Sequence, residues 1–286
     1  MPRSVRSPSQ KAARSDATIG ELLATEADSL CRQVARGVSD ARNQHAGIHR
    51  ARRAMRSLRG LLALLIPVAD GDERVALARF DARLQRVCKS LSGVRDAHVV
   101  VLTAASLSGK NVPKRWPVLQ VRLGDQRELM TRRALEADPG FAARRQAITE
   151  IRAALPALPW GRLDTDDVRR GLKHSWRRAK RAERHARHSA IARDRHRYRR
   201  RLRRLLLQAE VLERALDTAP KAVRAVAELP GRHKYKQQAS RLGRLQDAQM
   251  LRRAARRIEP AHSDKTILAV LNDAVRSARR DLGKIG

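Results

Sequence analysis

The sequence predicts an all-α protein in which a helical bundle is duplicated. Three observations carry this. Ala, Leu and Arg, all good helix formers, dominate a chain of 286 residues. Only 3 Trp, 2 Tyr and 2 Phe are present, against the aromatic and β-branched strands of a sandwich or barrel. Proline and glycine gather at intervals, each cluster able to end a helix: Pro67/Gly71, Gly109/Pro113/Pro117, Pro139/Gly140, Pro156/Pro159/Gly161, Pro220, Pro230/Gly231 and Pro260.

Between these breaks the helices are predicted at 17–41, 44–66, 72–107, 117–137, 141–155, 165–190, 193–217, 220–258 and 263–283. Residues 1–14 form a basic tail with Pro2 and Pro8 and no apolar stretch, expected to be disordered and not a secretory signal. Hydrophobic residues make up 42% of the chain, enough to bury a core. The longest apolar run, Leu61 to Ala69, is too short to span a bilayer. Cys31 and Cys88 are too few for a disulfide framework or a Cys-based zinc site and fall in helical patterns, as small core hydrophobes. A cytoplasmic protein with no membrane partner is expected.

The duplication shows in two matched motifs. His49-Arg-Ala-Arg-Arg-Ala-Met-Arg-Ser-Leu-Arg59 aligns with His196-Arg-Tyr-Arg-Arg-Arg-Leu-Arg-Arg-Leu-Leu206 at a shift of 147. Leu91-Ser-Gly-Val-Arg-Asp-Ala-His-Val99 aligns with Leu242-Gly-Arg-Leu-Gln-Asp-Ala-Gln-Met250 at a shift of 151. The Leu155–Gly161 stretch separates a first half, 15–155, from a second, 156–286.

Charge decides the function classes. Lys plus Arg is 63 and Asp plus Glu 29, a formal net charge of +34, which calls for an anionic partner. Seventeen basic residues fall between Val168 and Ala209, against Glu183 and Asp194. In the helix 44–66, Ile48, Ala51, Met55, Leu58, Leu62 and Leu65 make an apolar stripe. His49, Arg52, Arg56 and Arg59 make a second stripe about 100° round the helix and about 15 Å long. A solvated face would oppose the core; this stripe flanks it and so points into a groove. His196, Arg199 and Arg203 repeat the arrangement beside Tyr198, Leu202, Leu205 and Ala209. Lys173, Arg177, Lys180 and Arg184 lie next to Leu172, Trp176 and Ala179. Three such pairs of stripes predict a lined cleft, with Arg50, Arg53, Arg197 and Arg201 on the outer faces. Arg, at 52 of the 63 basic residues, suits bidentate contact with phosphate oxygens. Asp96 and Asp247 recur in both halves and are expected to orient an Arg or His of their own half.

Other chemistries are unsupported. His174, His185 and His188 have no carboxylate or Cys at ligand spacing, so no metal is expected. There is no glycine-rich phosphate loop and no paired-carboxylate motif to hold Mg²⁺, and no cofactor is implied. Scarce aromatics argue against single-strand nucleic-acid stacking, and long all-basic stripes against a helix-turn-helix. Two rivals to simple polyanion binding stay open: a non-specific nucleic-acid-compacting protein, and a polyphosphate or nucleotide phosphatase.

His49-x-x-Arg52-x-x-x-Arg56-x-x-Arg59 followed by Leu91-x-x-x-Arg95-Asp96, with second copies of both, resembles the CHAD family, the conserved histidine α-helical domain. Gly171-Leu-Lys-His-Ser-Trp-Arg-Arg-Ala-Lys-Arg181 resembles the segment that opens that family's second half. The resemblance runs from about residue 17 to the C-terminus. It implies two four-helix bundles related by pseudo-twofold symmetry, with a basic cleft or pore between them. It also implies binding of inorganic polyphosphate there, association with polyphosphate granules and, with no room for a fused triphosphatase domain, no catalysis. It assigns phosphate contact to His49, Arg52, Arg56, Arg59, Arg95, Arg177, Arg178, Lys180, Arg181, His196, Arg199 and Arg203, with Lys236 where members often carry Lys. Gln246 stands where Arg95 has its counterpart, so the second copy is expected to contribute less. Ser92 stands where Gly is usual, and Leu206 ends the second stripe without charge.

Overall fold

The computed structural model describes residues 17–109, 112–189, 191–258 and 265–283; the basic tail expected at 1–14 lies outside them. The described residues are helical, with no strand among them. In chain order the helices are α1 (Ile19–Val38), α2 (Gln44–Leu62), α3 (Gly71–Ser90), α4 (Ser92–Ser106), α5 (Trp116–Ala137), α6 (Ala142–Ala153), α7 (Thr165–His188), α8 (Ala192–Ala215), α9 (Lys221–Arg224), α10 (Arg232–Ile258) and α11 (Lys265–Gly283).

Local sequence explains the starts. Thr18 and Glu21 form a reciprocal capping box on α1, as do Asp70 with Glu73 on α3 and Asp164 with Asp167 on α7. Each satisfies backbone N–H groups that a helix N-terminus leaves free. Two expected helices are broken. The helix expected over 72–107 divides at Leu91, whose backbone (φ −93°, ψ 7°) leaves the helical region. The helix expected over 220–258 divides into α9, the 3₁₀ turn Ala225–Ala227 and α10. There Gly231, at φ +72°, supplies a left-handed turn after Pro230.

The helices associate across the two halves of the sequence. α1 and α2 form a hairpin that lies with the α7–α8 hairpin, through α2 against α8. The α4–α5 hairpin lies with α10–α11, through α4 against α10. Within the first half α1, α2, α3 and α6 also pack on one another, α1 against α2 and α6, and α3 against α2 and α6; across the halves α8 comes close to α2. The contact faces show why. Gly60 lets α8 approach α2 closely, with its ideal Cβ position 3.3 Å from the Gln208 side chain, and Gln208 donates to the Gly60 carbonyl (2.9 Å). Arg53 pairs with Glu210 (2.8 Å) and Arg214 with Glu26 (2.8 Å) across the same seam.

The core is continuous from Ile19 to Leu242, and the stretch that divides the sequence is part of it. Leu155, Leu158, Trp160 and Leu163 are buried, and the Trp160 indole donates to the Leu155 carbonyl (2.8 Å). The predicted α2 stripe of Ile48, Ala51, Met55, Leu58, Leu62 and, just beyond the helix, Leu65 is buried throughout. Cys31 and Cys88 are buried free thiols. A second apolar cluster, including Val100, Trp116, Leu123, Leu251 and Leu271, holds α4 and α5 to α10 and α11. Among the described residues no helix is long and apolar enough to cross a membrane.

Candidate functional site

The basic stripes of α2 and α8 meet where the two helix groups face each other, and α3, α4 and α10 complete a cleft of about 490 Å³. The apolar stripes fix this placement. Ile48, Met55 and Leu58 bury one side of α2, and Tyr198, Leu202, Leu205 and Ala209 bury one side of α8. The flanking arginines are thereby held at the edge of the core, partly desolvated. Arg199 is 9% exposed.

Of the expected site residues, the cleft gathers Arg52, Arg56, Arg59, Arg95, Asp96, His196, Arg199 and Arg203. Ten arginines line it in all, and two are ion-paired: Arg59 bidentately to Asp81 (2.6 and 2.8 Å) and Arg95 to Asp96 (3.0 Å). Among the described residues no carboxylate comes within 4 Å of the other eight. Arg52 instead donates to the Cys88 carbonyl and to Ser92 Oγ (3.2 Å), tying α2 to the α3–α4 break. Arg56 Nε donates to the Arg52 carbonyl (3.1 Å), and Arg199 donates to Gln246 Oε1.

Burial, and after it this crowding of like charges, acts on the pKa of the guanidinia. Burial, then Arg203, draws Arg56 from its ordinary value down to about 9. Burial, then Arg203, draws Arg199 down to about 10. Arg203 is lowered by burial and by Arg95. All three stay protonated at neutral pH, so the shifts register desolvation and mutual repulsion. Removing cations from water and setting them beside one another is costly unless something anionic joins them.

His49 is exposed at the rim, its pKa lowered by burial and then by Arg95, Arg56 and Arg203. His196 is lowered by burial and by Arg200 and Arg199. Both imidazoles therefore sit next to guanidinium charge. Asp247 departs from expectation. It makes no hydrogen bond, one carboxylate oxygen is buried without a partner, and burial raises its pKa although Arg199, Arg95 and Arg203 are near. Gln246, at the position expected to contribute less, accepts a hydrogen bond from Arg199, an orienting contact of the kind expected of Asp247.

The α7 stripe does not join the cleft. Lys173, Arg177 and Arg181 are exposed, because α7 spends its inner face, Val168, Leu172, Ala179 and Ala182, on the core. Arg178 is also exposed, though close enough to depress Arg201 and Arg204. Lys180 pairs with Glu183 (3.2 Å) and lies 5.6 Å from the centre of the Tyr235 ring, a tie between α7 and α10. Lys236 is exposed and outside the cleft. Conversely, Arg197 and Arg201, expected on an outer face, line the cleft with Arg200 and Arg204. Every basic position of α8 from His196 to Arg204 is turned into it. The density of basic residues in this segment was the available signal. A larger cavity of about 660 Å³ lies elsewhere, between α5 and α10, and mixes Arg122, Arg132 and Arg257 with Asp125 and Glu128. Its charges are mixed, whereas the cleft sets ten arginines against Asp96.

Fold and site together define an all-helical protein with an internal arginine-lined cleft. Residues 21–256 match the family model described as CHAD domain, and the chain belongs to that family. Its structure is similar to that of PptA from Streptomyces chartreusis, with a TM-score of 0.66 at 17% identity over 94% of this chain and 99% of that one. It is also similar to the CHAD domain from the plant Ricinus communis, with a TM-score of 0.60 at 17% identity over 94% and 88%. No curated protein matches the sequence.

Proposed function

We propose that this protein binds inorganic polyphosphate in the α2–α8 cleft, electrostatically and without catalysis. The observation that carries the reading is the set of eight guanidinia with no carboxylate within 4 Å, gathered in one cleft and lowered in pKa where buried. A flexible polyanion supplies the missing charge, and counterions condensed on it are released. His49, Arg52, Arg56, Arg59, Arg95, His196, Arg199 and Arg203 make the expected contacts, with Arg197, Arg200, Arg201 and Arg204 added from the geometry. The exposed Lys173, Arg177, Arg178, Arg181 and Lys236 lie on the approach. Membership of the CHAD domain family, a family linked to polyphosphate binding, points the same way. Granule association follows from the same resemblance. Like-with-like pairing of α2 with α8 and α4 with α10 supports an internal pseudo-twofold duplication.

The nucleic-acid alternative shares the charge and lacks the chemistry. Among the described residues the cleft lining holds no Phe, Tyr or Trp on which bases could stack. A phosphatase would place acids beside the phosphate, and the one carboxylate among the described lining residues, Asp96, is engaged by Arg95. Labelled polyphosphate bound at about 0.15 M salt, then challenged with a large charge excess of RNA, tests the reading. Retention of polyphosphate supports it; displacement at parity of charge favours the nucleic-acid reading, and phosphate release with Mg²⁺ or Mn²⁺ the enzymatic one.

A further inference from the structure

Beyond the main cleft, α8 and α10 enclose a second cavity of about 350 Å³. Its lining includes Arg193, Arg195, His196, Arg199 and Arg253, with Gln246 and Gln249 and, among the described residues, no carboxylate. His196, Arg199 and Gln246 line both cavities, so the two share a wall. That wall is the Arg199–Gln246 hydrogen bond. Arg199 is nearly buried, and its Nε has no hydrogen-bond partner. Arg199 thus borders both cavities, and its buried Nε–H makes no hydrogen bond. The cations of the second cavity are held locally: Arg195 donates to the Ser189 carbonyl (3.4 Å) and Arg253 to the Gln249 carbonyl (3.3 Å). Arg193 has no acidic partner within 4 Å among the described residues. Neither backbone bond neutralises charge, so the charged side chains of this cavity's described lining are all basic.

We propose that this cavity is a second phosphate-binding arm, and that one polyphosphate chain turns about the Arg199–Gln246 pair to occupy both arms. The proposal rests on polyphosphate binding in the main cleft and goes further: it makes chain length a specificity property. A short oligophosphate fills the main cleft alone. A long chain gains the extra contacts without paying a second time for association, because the linked segment is already present at high effective concentration. Each added phosphate contact raises the salt dependence by about 0.7 in slope, as for single strands, so three arginines add about 2.

The test uses the full chain and the variant Arg193→Gln/Arg195→Gln/Arg253→Gln, with tripolyphosphate and a polyphosphate of about 100 units as probes. Long-chain affinity should fall about 10- to 100-fold in the variant, with a salt slope about 2 smaller, while tripolyphosphate affinity stays within twofold. Arg193→Lys/Arg195→Lys/Arg253→Lys should keep most of the long-chain affinity, which controls for folding. Unchanged long-chain binding, or equal losses for both probes, would overturn the second arm while leaving the main cleft standing. Failure of the native chain to bind either probe would remove the functional reading itself. If a single-stranded RNA of matched charge loses affinity as the long polyphosphate does, the arm is a general polyanion surface and its assignment to polyphosphate falls.

Discussion

Replacing Arg56 by Met should make the free protein more stable and its polyphosphate complex weaker. Arg56 carries a charge drawn down to about 9 by burial and by Arg203. The chain is charged at this position in both the folded and unfolded states at pH 7. Because the folded value is the lower one, the penalty is fully present below about 9 and fades only as pH rises from there towards the ordinary arginine value. At about 1.4 kcal/mol per unit, that shift sets a ceiling of roughly 5 kcal/mol. Loss of the Arg56–Arg52 hydrogen bond returns about 1 kcal/mol, and local relaxation reduces the rest. A net gain of about 1–2 kcal/mol is expected, since an apolar side chain of similar length replaces an unpaired desolvated cation. For a chain of this size that raises Tm by about 2–4 °C. The assay is thermal unfolding at low ionic strength without phosphate, repeated at high salt, where the gain should shrink as screening relieves the native repulsion. In parallel, polyphosphate affinity should fall about tenfold. A variant that melts lower than the native chain and binds polyphosphate equally well would refute the reasoning, because Arg56 would then be a structural cation.

Three further outcomes are expected. With eight arginines lacking acidic partners, log affinity for polyphosphate against log salt should fall with a slope of about 4–6, measured by titration between 50 and 200 mM; a flat line would contradict a threaded polyanion. His49 and His196 have lowered values in the free protein and should gain protons when a polyanion masks Arg95, Arg56, Arg203 and Arg199, so affinity should rise as pH falls from about 8 to 6. Calorimetry in buffers of different ionisation enthalpy reads that proton uptake, and it should vanish in His49→Gln/His196→Gln. Gly37→Ala would set a Cβ 2.6 Å from the Gly47 carbonyl oxygen, where α1 meets α2, and should cost about 2–3 kcal/mol in denaturant unfolding.

Periodicity made the interior of each helix legible, because burial follows a 100° step whatever the neighbours are. Ile48, Met55 and Leu58 in α2, and Leu202 and Leu205 in α8, were assigned inward and are fully buried. The break at Leu91 carried no such mark: no proline stands there, and Arg52 reaching the Cys88 carbonyl from another helix helps to tie it down. Pairing between helices was less legible still. A helical wheel gives angles relative to a helix's own core and says nothing of which neighbour lies alongside, so the packing of α2 against α8 and of α4 against α10 could not be read. The same limit put Arg197 and Arg201 on an outer face. α8 turns its whole polar arc into the cleft, and long guanidinium side chains reach it from positions well to either side of Arg199 and Arg203. It also drew the α7 stripe into the site, although Lys180 is spent on Glu183 and Tyr235. Asp247 was singled out because it recurs with Asp96. Recurrence identified a half-buried carboxylate among arginines, but its missing hydrogen bond is a matter of tertiary distance.

The central claim is that position in the cleft, and not net charge, binds the polyanion, and a matched pair of charge deletions measures it most directly. Arg52→Gln/Arg56→Gln/Arg199→Gln/Arg203→Gln removes four charges from the cleft. Arg32→Gln/Arg50→Gln/Arg169→Gln/Arg276→Gln removes the same four from exposed positions paired to Asp28, Asp40, Asp166 and Asp273. At about 1 kcal/mol per lost phosphate contact, the first set should weaken polyphosphate binding about 10²- to 10³-fold at 0.15 M salt, and the second by less than about fivefold. Equal losses in the two sets would show that only total charge matters, and the cleft account would be wrong.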